Sequence, residues 1–435
     1  MASDTKQFSF DEVIARFRDA IEFVNRRIIN RTEVIDQIFC ALLTREHALI
    51  QSRTGAAKSL LAQQIFAMFE GANTFQVQAS KEQQPDTFFG GLDIEELKKG
   101  RIIHNTRDSL VESEFGFIDE IFDANDYTLR ALLTTLNERA LILGAQVVPA
   151  KLHSVIAATN YLRVSEVTEA ILDRFVFKSL FIPSKTAYVQ YKISRRYLAH
   201  GGRHMQPETR IPFAMLDRIS RVIRGEDPDK SINVPLPMIF LANSVVRHFE
   251  MQRNRLLKER PHDHPQLKDF YVSPRTYAKS LDMLRASAFL HGRDEVTPAD
   301  VAKLWYMHTT VGLHDQRELF QKSNDTILAQ LTASRAFEQI QRMLEFQDFL
   351  DALHTDPELL KRPITEIEGS AIRRTLKEWA KETLGINEAS VEHNRRLLEG
   401  YVRSFEPLTE EIQELRLRQE KDIHELFHPV LHIWS

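Results

Sequence analysis

The chain has 435 residues, with 57 basic and 61 acidic side chains for a formal charge of −4, and is 43% hydrophobic and 27% charged. That length exceeds one compact core and reads as two or three domains; the composition excludes a disordered or collagen-like chain, and the charge balance supplies no global field for nucleic acid or anionic lipid. With only 15 glycines, about half the average frequency, a mostly helical protein is expected rather than a turn-rich all-β one. In chain order, Ser9-Phe10-Asp11-Glu12 is a capping box, and Phe10, Val13, Ile14, Phe17, Ile21 and Val24 follow at helical spacing, so an amphipathic helix comes first. From about residue 47 to 183, short apolar runs at 48–51, 74–78, 115–118 and 154–158 alternate with helical patterns. This alternation predicts an α/β domain with a parallel sheet covered by helices on both faces, spanning 1–185.

After Pro183 the strand signals stop, and 186–318 reads as an all-α domain in which Ser273-Pro274 and Thr297-Pro298 each place a capping residue before a proline at the first helical position. Residues 319–435 form an additional helical region with no motif that assigns a role; Phe337, Ile340, Met343, Leu344 and Leu350 mark its helices, and breaks are expected at Pro357, Pro363 and Pro407. Cys40, the single cysteine, cannot make an internal disulfide or a cysteine-based zinc site, which fits a reducing compartment. The first residues lack the apolar stretch of a signal peptide, and no run approaches the roughly 18 apolar residues of a membrane span, so a cytoplasmic protein is expected.

The stretch Ser52-Arg53-Thr54-Gly55-Ala56-Ala57-Lys58-Ser59 lies between an apolar run and a helical pattern beginning at Leu60. A phosphate-binding loop needs this context: loop and helix-start N–H groups wrap the phosphates, a lysine reaches the outer ones, and a hydroxyl holds magnesium. Lys58 and Ser59 fit the last two roles; the alternative is an ordinary strand-to-helix turn. Ser52 and Ala57 stand where many such loops carry glycine, and a left-handed backbone at either would cost about 1–2 kcal/mol.

The apolar strand Phe115-Gly116-Phe117-Ile118 ends in Asp119 and Glu120. There Asp119 can hold the magnesium shell and Glu120 can orient and deprotonate the attacking water; a solvent-facing acidic pair is the plainer reading. Asn160, after the run 154–159, can orient that water or sense the γ-phosphate, or serve merely as a turn residue. Arg174, in Asp173-Arg174-Phe175, can reach a neighbouring subunit's nucleotide or simply pair with Asp173. Arg275 sits in the first turn of a helix, a poor place for a cation unless an anion faces it.

These five elements, in this order, resemble the AAA+ ATPases of the MoxR family, close to their RavA-like branch. That family's loop commonly reads Gly-Pro-Pro-Gly-x-Ala-Lys-Ser, so Ala57 agrees and Ser52, Arg53 and Thr54 depart. The stretches 89–98, 117–125 and 132–139 match as well, and the resemblance covers about 10–315. It implies an αβα ATP/ADP-binding domain followed by an all-α lid, assembled as a homo-oligomeric ring, usually a hexamer, with nucleotide and Mg2+ between subunits. Gly55, Ala56, Ala57, Lys58, Ser59 and Leu60, with Ser52, become Walker A. Asp119 and Glu120 become Walker B, Asn160 sensor 1, Arg174 the arginine finger and Arg275 sensor 2. It further implies a chaperone-like remodeller of protein complexes, often with a von Willebrand factor A partner. Residues 88–114 correspond to a helix 2 insert, and 138–152 read as two apolar strands around Gly144-Ala145; both are expected to face the pore or to be peripheral packing elements.

Two other classes remain: an ATP-gated scaffold or switch with little turnover, and a nucleic-acid-dependent motor. The complete catalytic set favours hydrolysis. The arginines between Arg195 and Arg260 are interleaved with Glu208, Asp217, Glu250 and Glu259, which favours subunit contacts and solvated helix faces over nucleic acid. His200, His204, His262 and His264 lie in polar sequence without accompanying carboxylates, and Pro429 interrupts the spacing of His424, His428 and His432. The apolar residues Leu426, Phe427, Val430, Leu431, Ile433 and Trp434 read as a docking or packing segment, one expected to bind a neighbouring subunit or a partner.

Overall fold

The computed structural model describes residues 9–427 apart from 144–145, 163–164, 182–185, 201–206, 208, 260–272, 310–315, 335, 357–358, 361–363 and 365–390. The Gly144-Ala145 turn, Pro183, His204, His262, His264, the expected breaks at Pro357 and Pro363, and the tail from 428 lie outside the described residues.

Helix α1 (Phe10–Arg27) opens with the expected capping box: Glu12 N–H donates to Ser9 Oγ at 3.2 Å and Ser9 N–H to the Glu12 carboxylate at 2.9 Å. It buries Val13, Ile14, Phe17, Ala20 and Val24 on one face, and Phe17 meets Phe289 edge-on at 5.7 Å. After α2 (Thr32–Leu43) come β1 (Ala48–Ser52), α3 (Lys58–Phe66), β2 (Phe69–Glu70), β3 (Thr74–Gln78), α4 (Asp86–Phe89) and α5 (Ile94–Lys98). Next are β4 (Phe115–Asp119), α6 (Asp126–Glu138), β5 (Ala140–Leu143), β6 (Gln146–Pro149), β7 (Ser154–Thr159), α7 (Glu166–Arg174), β8 (Phe177–Phe181) and α8 (Ala187–His200). Strand β9 (Ile211–Pro212), α9 (Phe213–Ile223), α10 (Leu236–Glu259) and α11 (Pro274–Leu290) follow.

The main sheet has five strands in the order β3-β4-β7-β1-β8, and its pairs are parallel. Every residue of central β7 is buried, whereas edge strand β3 alternates between exposed and half-buried. The four apolar runs read from the sequence are strands of this sheet. Its fifth member, β8, was not among them: Lys178 and Ser179 interrupt the apolar run, which an edge strand tolerates. Because the strands are parallel, the segments leaving β1, β4 and β7 emerge on one edge of the sheet. Those entering β1, β7 and β8 gather on the other, about 16 Å away for a five-residue strand.

Two insertions decorate this core. Strands β5 and β6 pair antiparallel as the expected hairpin, and residues 90–105 fold back with a bridge between Leu92 and His104. Gln146 joins them, its Oε1 accepting from His104 N–H at 2.8 Å and its Nε2 donating to His104 C=O at 3.3 Å.

By internal contacts the chain divides into two units, Met1–Val234 with Glu250–Gln321, and Pro235–Phe249 with Lys322–Ser435. In the first, α11 packs on α1, α2 and α9; Ser273 and Thr297 cap their helices before Pro274 and Pro298 as read from the sequence. The second contains helices Ala336–Thr355, Val391–Arg403 and Glu410–Phe427, packed through Phe346, Leu350, Leu398, Val402, Ile412 and Ile423. Buried Gln419 donates to Met343 C=O at 2.6 Å there. Among the described residues no helix is long and apolar enough to cross a membrane.

Candidate active site

Ser52 ends β1 and is buried, its hydroxyl donating to Arg53 C=O at 3.1 Å. Ser52 is absent from the positive-φ positions; Gly55 (φ 80°) and Ala57 (φ 62°) are the two in this loop. The left-handed cost of about 1–2 kcal/mol therefore falls on Ala57 alone. Ala57 is also the N-cap of α3 and gives it no side-chain cap, so the N–H groups of Lys58, Ser59 and Leu60 begin a helix with no intrahelical acceptor. Ala56 is buried, Leu60 is 40% exposed, and Arg53 and Thr54 face solvent.

Lys58 is buried, and its ammonium donates to Asn160 Oδ1 at 2.6 Å, Glu120 Oε1 at 3.2 Å and Ser52 C=O at 3.4 Å. The other Glu120 oxygen accepts from Asn160 N–H at 3.0 Å. Beside it, Ser59 Oγ donates to Asp119 Oδ2 at 3.3 Å while Asp119 Oδ1 accepts from Glu120 N–H at 3.1 Å. Glu120 adopts φ 50°, which turns the chain sharply after β4 and lets two successive carboxylates face two different partners. The C-terminal sheet edge thus brings together Lys58, Ser59, Asp119, Glu120 and Asn160, as their positions at strand ends and a helix start lead one to expect. Their chemistry fits a magnesium nucleotide: Ser59 and Asp119 offer a hydroxyl and a carboxylate, the hard oxygen donors Mg2+ takes, next to a lysine and a row of helix-start amides.

Arg174 and Arg275 lie together elsewhere. They line a pocket of about 300 Å³ with Arg45, Arg139, Arg224 and Lys279 around one acid, Glu46. Arg45 and Glu46 precede β1, Arg139 ends α6 and Arg174 ends α7 just before β8, so this pocket sits at the N-terminal edge of the sheet, away from Lys58. Several cations there are already engaged. Lys279 pairs with Glu46 at 2.9 Å, Arg224 with Glu226 at 2.8 Å, and Arg174 with Asp173. Arg139 donates to Arg45 C=O at 2.6 Å, His153 C=O at 3.0 Å and Leu152 C=O at 3.3 Å. Loss of hydration pushes Arg139 down to about 10 and lowers Arg224 as well; at about 10 the Arg139 group still carries its charge at neutral pH.

A second cleft, of about 750 Å³, lies between α8 and the end of α1 and is lined by Asn25, Asn30, Tyr188, Tyr191, Lys192 and Arg195 among others. Register pairs Ser52 with Phe181, so β8 ends beside the loop that carries Lys58. Neither this cleft nor the parts of Arg45, Arg139, Arg224 and Lys279 in the cationic pocket were legible in the sequence, since each is assembled from distant segments.

The family model for the MoxR domain of MoxR-vWA-beta-propeller ternary systems matches residues 15–210, and that for an AAA lid domain matches 250–310. The chain belongs to the MoxR family of AAA+ ATPases. An uncharacterized protein of Methanocaldococcus jannaschii is 26% identical over 291 residues, 67% of this chain and 69% of that one. Chaperone MoxR1 of Mycobacterium tuberculosis is 22% identical over 302 residues, 66% of this chain and 72% of its own. A crystal structure of a Cytophaga hutchinsonii protein described as a candidate ATPase matches the fold, with a TM-score of 0.56 at 17% identity over 73% of this chain and 95% of its own. The five-stranded sheet, the AAA lid and the extra C-terminal helices of this MoxR-family chain agree with the fold read from its sequence.

Proposed function

We propose that this MoxR-type protein hydrolyses ATP at the interfaces of a homo-oligomeric ring, a hexamer by family precedent, and uses the cycle in the cytoplasm to remodel a protein partner. The observation that carries this reading is the separation of Arg174 and Arg275 from the Lys58–Glu120–Asn160 cluster by the length of the strands. Among the described residues, Arg174 and Arg275 lie at the opposite end of the strands from the loop that carries Lys58. Head-to-tail association, which generates rings when the rotation closes, would apply the arginines of one copy to the loop of the next.

Within one subunit, the loop N–H groups and Lys58 bind the phosphates, and Lys58 exchanges its contacts with Glu120 and Asn160 for phosphate oxygens. Glu120, released from that contact, accepts a proton from the attacking water, and the Asn160 amide orients it. Ser59 and Asp119 would hold Mg2+, which neutralises phosphate charge when bound. Arg174 and Arg275 of the adjoining subunit stabilise the charge that develops on the transferred phosphoryl group. The rings of Tyr188 and Tyr191 and the amides of Asn25 and Asn30 make the α8 cleft the candidate base subsite.

A von Willebrand factor A protein is the favoured partner, in keeping with the systems for which the matched family model is described. ATPase assays on the wild type and Glu120→Gln, with the protein alone and with such a partner, test the reading; turnover unchanged in Glu120→Gln would remove its catalytic core.

A further inference from the structure

The cationic pocket contains a residue that neither the motif nor the proposed site accounts for. Arg45 lies in the short turn between α2 and β1, where its N–H donates to Leu42 C=O at 3.1 Å and the following Glu46 N–H to Ala41 C=O at 2.8 Å. It holds φ 57°, a backbone conformation that glycine adopts freely and a long side chain does not. Its carbonyl is fixed by Arg139 Nη2 at 2.6 Å, and its side chain lines the pocket with Arg174 and Arg275.

Charge pairing separates Arg45 from its neighbours. Glu46 is taken by Lys279, Glu226 by Arg224 and Asp173 by Arg174, and Arg139 is satisfied by three carbonyls. Among the described residues no carboxylate pairs with Arg45 or Arg275, and the Arg45 Nε, like that of Arg174, is buried without a hydrogen-bond partner. A guanidinium with an unsatisfied buried N–H, among other cations and on a strained backbone, is poorly placed until an anion enters.

We propose that Arg45 is a third arginine of the intersubunit phosphate site, contacting the neighbouring chain's nucleotide phosphates beside Arg174 and Arg275. This rests on the proposed function, since the pocket is completed by a second copy. Arg139, by gripping the carbonyls of Arg45 and of Leu152 and His153 just before β7, fixes the turn from which Arg45 reaches, and is a positioning residue.

Arg45→Gly is the test, because glycine suits φ 57° and removes only the side chain. In the full-length protein it lowers kcat by at least about tenfold and leaves affinity for a fluorescent ADP analogue, which reports the subunit's own loop, within about twofold. Mixing Arg45→Gly with Lys58→Ala subunits restores turnover, because the first supplies a working loop and the second an intact arginine pocket; Arg174→Ala mixed with Lys58→Ala is the reference. Wild-type turnover in Arg45→Gly, or recovery in the reference mixture without recovery for Arg45→Gly, overturns the role of Arg45 alone. No recovery in either mixture overturns the intersubunit reading and Arg45 with it. If inorganic phosphate raises the melting temperature through Arg45 while Arg45→Gly keeps full turnover, the pocket serves free phosphate and the nucleotide assignment falls.

Discussion

Lys58 donates to the Asn160 side chain at 2.6 Å, while the Asn160 backbone is held by the same Glu120 that pairs with Lys58. A lysine, an acid and an amide from three segments thus close a ring of contacts on one edge of the sheet. Breaking such a buried pair from one side leaves the other charge uncompensated, so each partner restrains the others until phosphate arrives.

Glu120→Gln keeps the loop and Lys58 but removes the group that can accept a proton. Turnover is expected to fall by about 10²–10⁴, while equilibrium binding of an ATP analogue stays within a few fold of wild type. Phosphate-release and binding assays on one preparation check both halves.

Lys58→Ala, in contrast, abolishes nucleotide binding, and the loss is visible by titration with a fluorescent ADP analogue. Arg174→Ala or Arg275→Ala leaves that titration unchanged and lowers kcat by about 10³ or more, the scale of a missing arginine finger. Equal loss of binding in the arginine variants would place those residues in the chain's own site instead.

Acid should weaken the first unit. Burial is the main reason His153 and His308 sit down at about 3, against about 6.5 in the unfolded chain; His47 is lowered for the same main reason. With the folded pKa below the unfolded one, the unfolded chain takes up the proton first. Stability is therefore unaffected above about pH 7 and falls as pH drops from about 6.5 towards 3. Each of His153 and His308 costs about 2 kcal/mol near pH 5. Urea midpoints near pH 7.5 and pH 5 measure the fall, and His153→Gln, whose amide can still donate to Leu42 C=O as the imidazole does at 2.8 Å, removes its share.

Gly90→Ala should loosen the 90–105 insertion without touching the phosphate loop. Gly90 has φ +90°, and an added Cβ would stand 1.9 Å from the Asn105 carbonyl oxygen, so the loop must open at a cost of about 1–3 kcal/mol. Hydrogen exchange reads this out directly: Asn105 N–H, bonded to Gly91 C=O, and Asp93 N–H, bonded to Ile103 C=O, lose protection.

The strands that could be read from residue pattern are those with uninterrupted apolar runs, such as Phe115–Asp119 and Ser154–Thr159, and the helix starts are those with local capping chemistry at Ser9, Ser273 and Thr297. Lys58, Asp119, Glu120 and Asn160 could be grouped from the sequence because each stands where a strand ends or a helix begins, and parallel pairing carries those points to one edge. Ser52 raised a concern that its place in the strand removes, since a strand's last residue needs no left-handed backbone. What sequence could not supply is the company Arg174 and Arg275 keep. Residues 45, 139, 174, 224 and 275 come from five separate segments: the packing of α11 against α2 and α9 gathers 45, 224 and 275, and that of α6 against α7 gathers 139 and 174.

The Gln146 side chain, bonded to both the N–H and the C=O of His104, imitates a strand neighbour with a side-chain amide in place of a backbone one. Those two bonds tie strand β6 to the 90–105 insertion, so the exposed side chains of Ile142 and Val147 and those of Ile94 and Ile102 belong to two insertions stitched together at one side chain.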